Sequence, residues 1–293
     1  MPTARANGLS IEYESLGAAD APALLLVMGL GMQLYGWPDE FCQQLVTRGF
    51  RVIRFDNRDC GLSSKVPGPR PLRLRLALAA SWLGLRVSTP YRLDDMAADA
   101  VGLLDALRID RAHVVGASMG GMIAQVMAAN HPGRVRTLTS IMSSSGNRRV
   151  SRSKPAAARA LLSRPADPND VQVVIDHLMN VYSVIGSPRY RPDPVLLRQR
   201  IARSVQRSYY PQGTARQLLA IMASGDRRKL LARIAAPTLV IHGADDPLVP
   251  VEAGRDTARH IAGARLLVID GMGHDLPAPL FAEIVEAIAA HCA

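Results

Sequence analysis

The stretch Gly116-Ala117-Ser118-Met119-Gly120-Gly121 places a serine between glycines, where a strand-like run passes into a helical pattern. The run before it, 112–117, is largely apolar, and the pattern after it extends over 119–130. In this context a G-x-S-x-G sequence predicts a sharp strand-to-helix turn that projects the serine hydroxyl out of a sheet. Flanking glycines suit so cramped a turn, and the helix N-terminus favours a developing oxyanion. Because such a serine can also simply begin a helix, the motif alone leaves its role open.

Apolar runs alternate with helical patterns on both sides of this turn, which predicts βαβ units and an α/β fold with a mostly parallel central sheet. The first run, 10–16, alternates polar and apolar residues, as an antiparallel edge strand does. The predicted strands are 10–16, 23–28, 51–56, 112–117, 136–142, 237–242 and 264–270. The predicted helices are 37–47, 93–107, 119–130, 251–261 and 279–291.

One long interruption of the strand pattern lies between the predicted strands 136–142 and 237–242. There, apolar residues at helical spacing are mixed with prolines, which predicts several short helices joined by proline turns. We therefore predict a core formed by residues 1–142 and 237–293, with a helical cap domain at 143–236. A second excursion, 67–90, alternates arginines with leucines and predicts an amphipathic helix that packs on the core or contacts lipid.

Charge is unevenly distributed along the 293 residues, whose formal net charge is +10. Residues 148–233 contain 17 Arg or Lys and 5 Asp or Glu, so the basic excess belongs to the cap. With 4% aromatic residues and no nucleic-acid-binding motif, we expect no nucleic-acid partner. The arginines suggest an acidic or lipid-like substrate or docking to an anionic membrane, unless they only cover solvated helix faces.

Composition also bounds the setting of the protein. The chain is 48% hydrophobic and long enough to bury a large core, but no uncharged apolar run approaches the roughly 20 residues that span a bilayer. Its N-terminus has no apolar signal region, so we expect a cytoplasmic protein. Three scattered cysteines, Cys42, Cys60 and Cys292, predict neither a disulfide framework nor a metal site. Nothing in the sequence predicts the oligomeric state.

Two later loops carry the residues that a nucleophilic serine requires. A serine hydroxyl needs a base, and the base needs an orienting carboxylate. Asp245 and Asp246 follow the predicted strand 237–242, and His274 follows 264–270. Sites in α/β sheets gather at the carboxyl ends of strands, so we predict a catalytic triad of Ser118, Asp246 and His274. Asp246 is preferred to Asp245 because Pro247 fixes the turn that follows it.

An oxyanion hole needs two N–H donors. One is predicted to be the backbone N–H of Met119, directly after the nucleophile. The other is predicted to be that of Leu30, in the loop Met28-Gly29-Leu30-Gly31-Met32 after the strand 23–28. A plain glycine turn between strand and helix has the same sequence, so this second assignment is weak without the rest of the site.

Together these residues resemble the α/β-hydrolase superfamily, whose triad order is serine, acid, histidine. Within it, the chain is similar to the esterase group that includes aclacinomycin methylesterase and related bacterial carboxylesterases. The similar stretches are 24–29, 36–41, 52–59, 112–119 and 271–274. The superfamily often has His-Gly at the oxyanion loop; this chain has Met28-Gly29, a feature of the methylesterase-like group.

The resemblance implies a serine carboxylesterase that forms an acyl-enzyme on a small-molecule ester, with no metal or organic cofactor. It fades in the cap and in 67–90, so it does not predict the natural substrate or the acyl-chain preference. Epoxide hydrolases and haloalkane dehalogenases have aspartate where this chain has Ser118. Cofactor-free perhydrolases and thioesterases have the same triad and stay open as alternatives, as does a binding protein without turnover.

Overall fold

A computed structural model of the chain describes residues 2–67 and 87–293. Within these ranges, eight strands form one sheet in the order β1-β2-β4-β3-β5-β6-β7-β8. Their bounds are β1 Thr3–Ala6, β2 Leu9–Leu16, β3 Ala23–Val27, β4 Arg51–Phe55, β5 Ala112–Ala117, β6 Val135–Ile141, β7 Thr238–Gly243 and β8 Arg265–Ile269. β2 runs antiparallel to β1 and β4, and the other neighbouring strands are parallel. Every strand predicted from the sequence is present, with ends displaced by at most one residue.

The α-helices of the described residues surround this sheet. They are α1 Asp39–Thr47, α2 Leu93–Ala106, α3 Met119–Asn130, α4 Pro155–Leu162, α5 Val171–Ile185, α6 Pro194–Arg207, α7 Pro211–Ser224, α8 Arg228–Leu231, α9 Val251–Arg259 and α10 Phe281–Cys292. In the part of the chain that the structure describes, every helix is too short or too polar to traverse a bilayer. Most of the helix predicted within 67–90 falls at 68–86, outside the described residues.

The prediction that 10–16 forms an edge strand is wrong, although its antiparallel orientation is right. The edge is β1, which pairs with β2 through a tight hairpin. Asn7 and Gly8 form its turn with φ of 48° and 78°, the left-handed pair typical of two-residue hairpins. Asn-Gly is the sequence signal for such a turn, and the edge-strand prediction overlooked it.

The sheet is buried on both faces, which explains the continuous apolar runs. In β3, Leu25 and Val27 join a core cluster with α2 and α3, whereas Leu24 and Leu26 join a second cluster with α1 and α10. All five residues of this strand are buried. A parallel strand covered by helices on both sides has no solvated face on which polar residues would alternate. The apolar layers thus fix the sheet, and the loops at its carboxyl ends stay available for polar chemistry.

Between β6 and β7 lie α4 to α8, in the segment predicted to be the cap. Arg207 of α6 donates to Asp56 at 2.6 Å, and Arg216 of α7 forms two hydrogen bonds to Asp59, each 2.8 Å long. Both aspartates are buried directly after β4. Breaking a buried ion pair by removing one partner typically costs several kcal/mol, so these arginines fasten the segment to the core. Part of the basic excess therefore pairs with carboxylates inside the protein. The division at residues 143 and 236 stays a prediction.

Candidate active site

Ser118 occupies a strained turn between β5 and α3. Its φ of 56° and ψ of −119° lie in a region that L-residues rarely adopt. The strain persists because the turn is enclosed: a Cβ on Gly116 would lie 2.2 Å from the Gly120 carbonyl oxygen, and one on Gly120 would lie 2.0 Å from that of Val27. Only glycine permits these backbone approaches, and the Ser118 N–H is held by the Ile141 carbonyl at 2.9 Å.

His274 joins the serine to a buried carboxylate. Its Nε2 lies 2.9 Å from Ser118 Oγ, and its Nδ1 lies 2.7 Å from Asp246 Oδ2. The other oxygen of Asp246 accepts hydrogen bonds from the backbone N–H groups of Leu248 and Val249, at 2.9 and 2.8 Å. This arrangement aims Oδ2 at the imidazole and favours the tautomer with its proton on Nδ1. Nε2 is then an acceptor for the serine proton. The structure thus brings together the three predicted triad residues.

Asp245, the alternative acid, forms hydrogen bonds to the loop that carries the imidazole. Its Oδ2 accepts from the Gly271 N–H at 3.0 Å, and its own N–H donates to the Met272 carbonyl at 3.1 Å. The two adjacent aspartates therefore have different contacts: Asp246 bonds to His274 itself, whereas Asp245 bonds to Gly271 and Met272, which precede the histidine.

A second buried histidine lies beside the carboxylate of Asp246. His242, at the end of β7, places Nε2 2.7 Å from the Val249 carbonyl oxygen and 3.7 Å from Asp246 Oδ2. Burial lowers the pKa of His242, so the ring is neutral at pH 7. A neutral ring bonded to a carbonyl packs the wall behind Asp246 without adding a competing charge.

The loop with the predicted oxyanion donor lies against the nucleophile. A Cβ on Gly29 would lie 3.2 Å from Ser118 Cβ, and a hydrogen bond from the Met32 N–H to the Gly29 carbonyl closes the turn at 3.3 Å. Leu30 is within this turn, immediately after the glycine. Met119, the other predicted donor, is the first residue of α3, where backbone N–H groups have no intrahelical acceptor.

Two residues of the cap segment that the sequence analysis did not single out bond to these loops. Gln217 of α7 is fully buried; its Oε1 accepts from the Gly31 N–H, and its Nε2 donates to the Arg58 carbonyl, both at 2.8 Å. Ser187, after α5, bonds to the loop around His274. Neither residue belongs to a recognisable sequence motif, and each contacts groups that are far away in sequence. The only feature of the sequence that points to this region is the interruption of the strand pattern between 136–142 and 237–242, which predicts an inserted segment but not these contacts.

Comparison with known proteins places the chain in a family. A family described as alpha/beta hydrolase fold matches residues 22–277. The chain belongs to this family. Among relatives of this α/β-hydrolase, rhodomycin D methylesterase DnrP of Streptomyces peucetius is 32% identical, over 95% of this chain and 93% of its own length. The 3-oxoadipate enol-lactonase 2 of Acinetobacter baylyi is 27% identical, over 92% of this chain and 88% of its own.

Solved structures agree on the architecture of the α/β-hydrolase. A meta-cleavage product hydrolase from Pseudomonas fluorescens matches with a TM-score of 0.76, covering 99% of this chain and 97% of that one. Its sequence identity is 19%, so the match concerns the fold alone. The predicted fold and the predicted resemblance to the methylesterase-like group are confirmed by these comparisons.

Proposed function

We propose that this α/β-hydrolase is a serine carboxylesterase that cleaves small-molecule esters through an acyl-enzyme on Ser118. The observation that carries the proposal is the pair of contacts of His274, 2.9 Å to a serine hydroxyl and 2.7 Å to a buried carboxylate. That geometry converts a weak nucleophile into a reactive one. The methylesterase and lactonase relatives support a carboxylic ester as the bond that is cleaved.

In the first half of the reaction, Ser118 Oγ attacks the ester carbonyl carbon while His274 Nε2 takes the hydroxyl proton. The backbone N–H groups of Leu30 and Met119 donate to the tetrahedral oxyanion. Asp246 keeps the imidazole in the required tautomer and stabilises the imidazolium. The carbon–oxygen bond to the alcohol then breaks, and the alcohol leaves with the proton from Nε2.

In the second half, water replaces the alcohol. His274 removes a proton from the water, whose oxygen attacks the acyl carbon, and the same N–H groups hold the second oxyanion. Collapse returns the proton to Ser118 Oγ and releases the carboxylic acid. Every step uses protein side chains, backbone N–H groups and water.

We further propose that the segment 143–236 is a cap that selects the substrate, because Ser187 and Gln217 bond to the loops of the site. Its effect is measurable as the dependence of turnover on acyl length. Peripheral contact of its arginines with anionic lipid stays a prediction, which co-sedimentation with neutral and anionic liposomes tests.

The experiment that tests the function compares p-nitrophenyl esters of increasing acyl length on the wild type and on Ser118→Ala. We expect wild-type turnover and a loss on the order of 10⁴-fold or more in the variant. Ser144→Ala, which removes another buried hydroxyl, is the control and should retain turnover. A wild type no faster than Ser118→Ala on every ester would overturn the proposal.

The alternative functions are tested with other substrates. Turnover of matched thioesters would indicate thioesterase activity, and reaction of peroxide with carboxylic acids would indicate perhydrolase activity. Tight ligand binding without turnover would indicate a binding protein.

A further inference from the structure

The loop that carries His274 lies against the segment that follows α5. The His274 N–H donates to the Ile185 carbonyl oxygen at 2.8 Å. A Cβ on Gly273 would lie 2.6 Å from the carbonyl carbon of Gly186 and 2.7 Å from the nitrogen of Ser187. The two backbones are thus in direct contact at a pair of glycines, so a displacement of one segment is transmitted to the other.

Ser187 connects to this loop on both sides of the histidine. Its hydroxyl donates to Asp275 Oδ1 and accepts from the Gly273 N–H at 2.9 Å, and its backbone N–H donates to the same carboxylate oxygen at 2.8 Å. The serine is 0% exposed, so water does not replace these bonds. One side chain therefore holds the residue before His274 and the residue after it.

The chemistry of the site requires this loop to be held closely. Proton transfer depends on the 2.9 Å separation of His274 Nε2 and Ser118 Oγ, and a displacement of about 1 Å in an active site can cost on the order of 10²-fold in rate. Burial raises the pKa of Asp275, and the hydrogen bonds from Ser187 oppose that shift by stabilising the carboxylate. The same bonds thus favour the charged form of the acceptor and hold the loop in place.

We propose that Ser187 is a positioning residue for the catalytic base: its bonds to Gly273 and Asp275 hold His274 in register with Ser118. This role rests on the proposed function, because it matters only if His274 acts on the serine. Ser187 itself is expected not to touch the substrate's reacting atoms. Its removal should therefore slow the chemical step and leave substrate binding nearly unchanged.

The chain offers a matched control in Ser145, which is also 0% exposed. Its hydroxyl donates to the Asp256 carboxylate and accepts from the Asn147 N–H at 3.2 Å, the same pattern as Ser187 but with partners outside the loop of His274. In the p-nitrophenyl ester assay, we expect Ser187→Ala to lower kcat by about 10- to 100-fold with KM within about twofold. Ser145→Ala should lower the melting temperature comparably and leave kcat within about twofold. Ser187→Thr, which keeps the hydroxyl, should recover most of kcat.

Several results would overturn the role of Ser187. One is a kcat of Ser187→Ala that stays within twofold of the wild-type value. Another is a loss of kcat in Ser145→Ala that equals the loss in Ser187→Ala. The third is a change in Ser187→Ala that affects KM alone. If Ser187→Ala does not fold, Asp275→Ala decides: a tenfold or larger fall in kcat at constant KM supports the role, and a smaller one overturns it. Measuring Ser118→Ala in the same assay separates the two proposals. If the wild type is no faster than Ser118→Ala, the proposal that the protein is an esterase fails, whatever the effect of Ser187→Ala.

Discussion

Ser118 and His274 approach each other to 2.9 Å, but the protein holds them by different means. The serine is fixed by backbone packing within the core, where Gly116 allows β5 to approach α3 and Gly120 allows α3 to approach β3. The loop of the histidine is fixed from outside by residues distant in sequence: Asp245 and Ser187 bond to it through side-chain oxygens, and Ile185 bonds to it through its carbonyl. The proposed nucleophile is therefore encoded by a contiguous motif, whereas the position of the proposed base depends on distant residues.

The largest effect is expected on the histidine side, from Asp246→Asn. The amide nitrogen can donate to His274 Nδ1 and stabilise the wrong tautomer, so kcat should fall on the order of 10⁴-fold. Asp245→Asn is the neighbouring control: its side-chain oxygen still accepts from the Gly271 N–H, and kcat should stay within about tenfold. Steady-state kinetics of both variants checks this. Equal losses would show that the adjacent aspartates do not have separate roles.

Gly120→Ala tests whether the close backbone approach at this glycine holds the turn of Ser118. Its Cβ would meet the Val27 carbonyl oxygen at 2.0 Å, so the turn must shift and displace Ser118. We expect kcat to fall at least about 10²-fold, with a lower melting temperature. Gly133→Ala has no heavy atom within 4 Å of the new Cβ and should change neither quantity. Retention of full activity by Gly120→Ala would contradict the account of the serine turn.

The smallest expected effect is on folding stability and not on catalysis, and it arises at His113, near the end of β5 that is opposite to Ser118. Burial, Arg136 and His291 lower the pKa of His113 to about 4, whereas an unfolded histidine titrates near about 6.5. Its stabilising contribution is complete above about 6.5 and is lost as the pH falls toward 4, because only the unfolded state takes up the proton. Between pH 7 and 5 this loss is about 1–2 kcal/mol.

His113→Gln isolates this contribution from the carboxylates that titrate in the same range. The urea midpoint of the wild type should fall further than that of the variant between pH 7 and 5. The amide is expected to keep the hydrogen bond that the imidazole shares with Thr137 Oγ1 at 2.9 Å. Identical pH dependence in the two proteins would show that His113 is not held neutral by burial.

The difference between the serine turn and the histidine loop also explains which parts of the fold and of the site can be predicted from the sequence. The serine turn and the strands other than β1 follow from one motif and from local periodicity, so the bounds of these strands agree with the structure to within a residue. The three residues predicted as a triad, which the structure brings together, each follow a predicted strand directly or closely, and that position marks them in the sequence. Ser187 and Gln217 act on backbone groups 86 and 186 residues away, and no local pattern records such contacts. The arginines of the predicted cap are visible in the sequence as a charge excess, but the pairing of two of them with Asp56 and Asp59 depends on the tertiary fold.

A covalent phosphonate probe reports directly whether Ser118 is the nucleophile, because it forms a stable adduct with the attacking oxygen. The protein is treated with a p-nitrophenyl phosphonate, whose phosphorus takes the place of the ester carbonyl carbon, and its peptides are mapped by mass spectrometry. We expect one adduct per chain on Ser118, none in Ser118→Ala and slow labelling in Asp246→Asn. An adduct on another residue, or equal labelling of Ser118→Ala, would show that Ser118 is not the nucleophile.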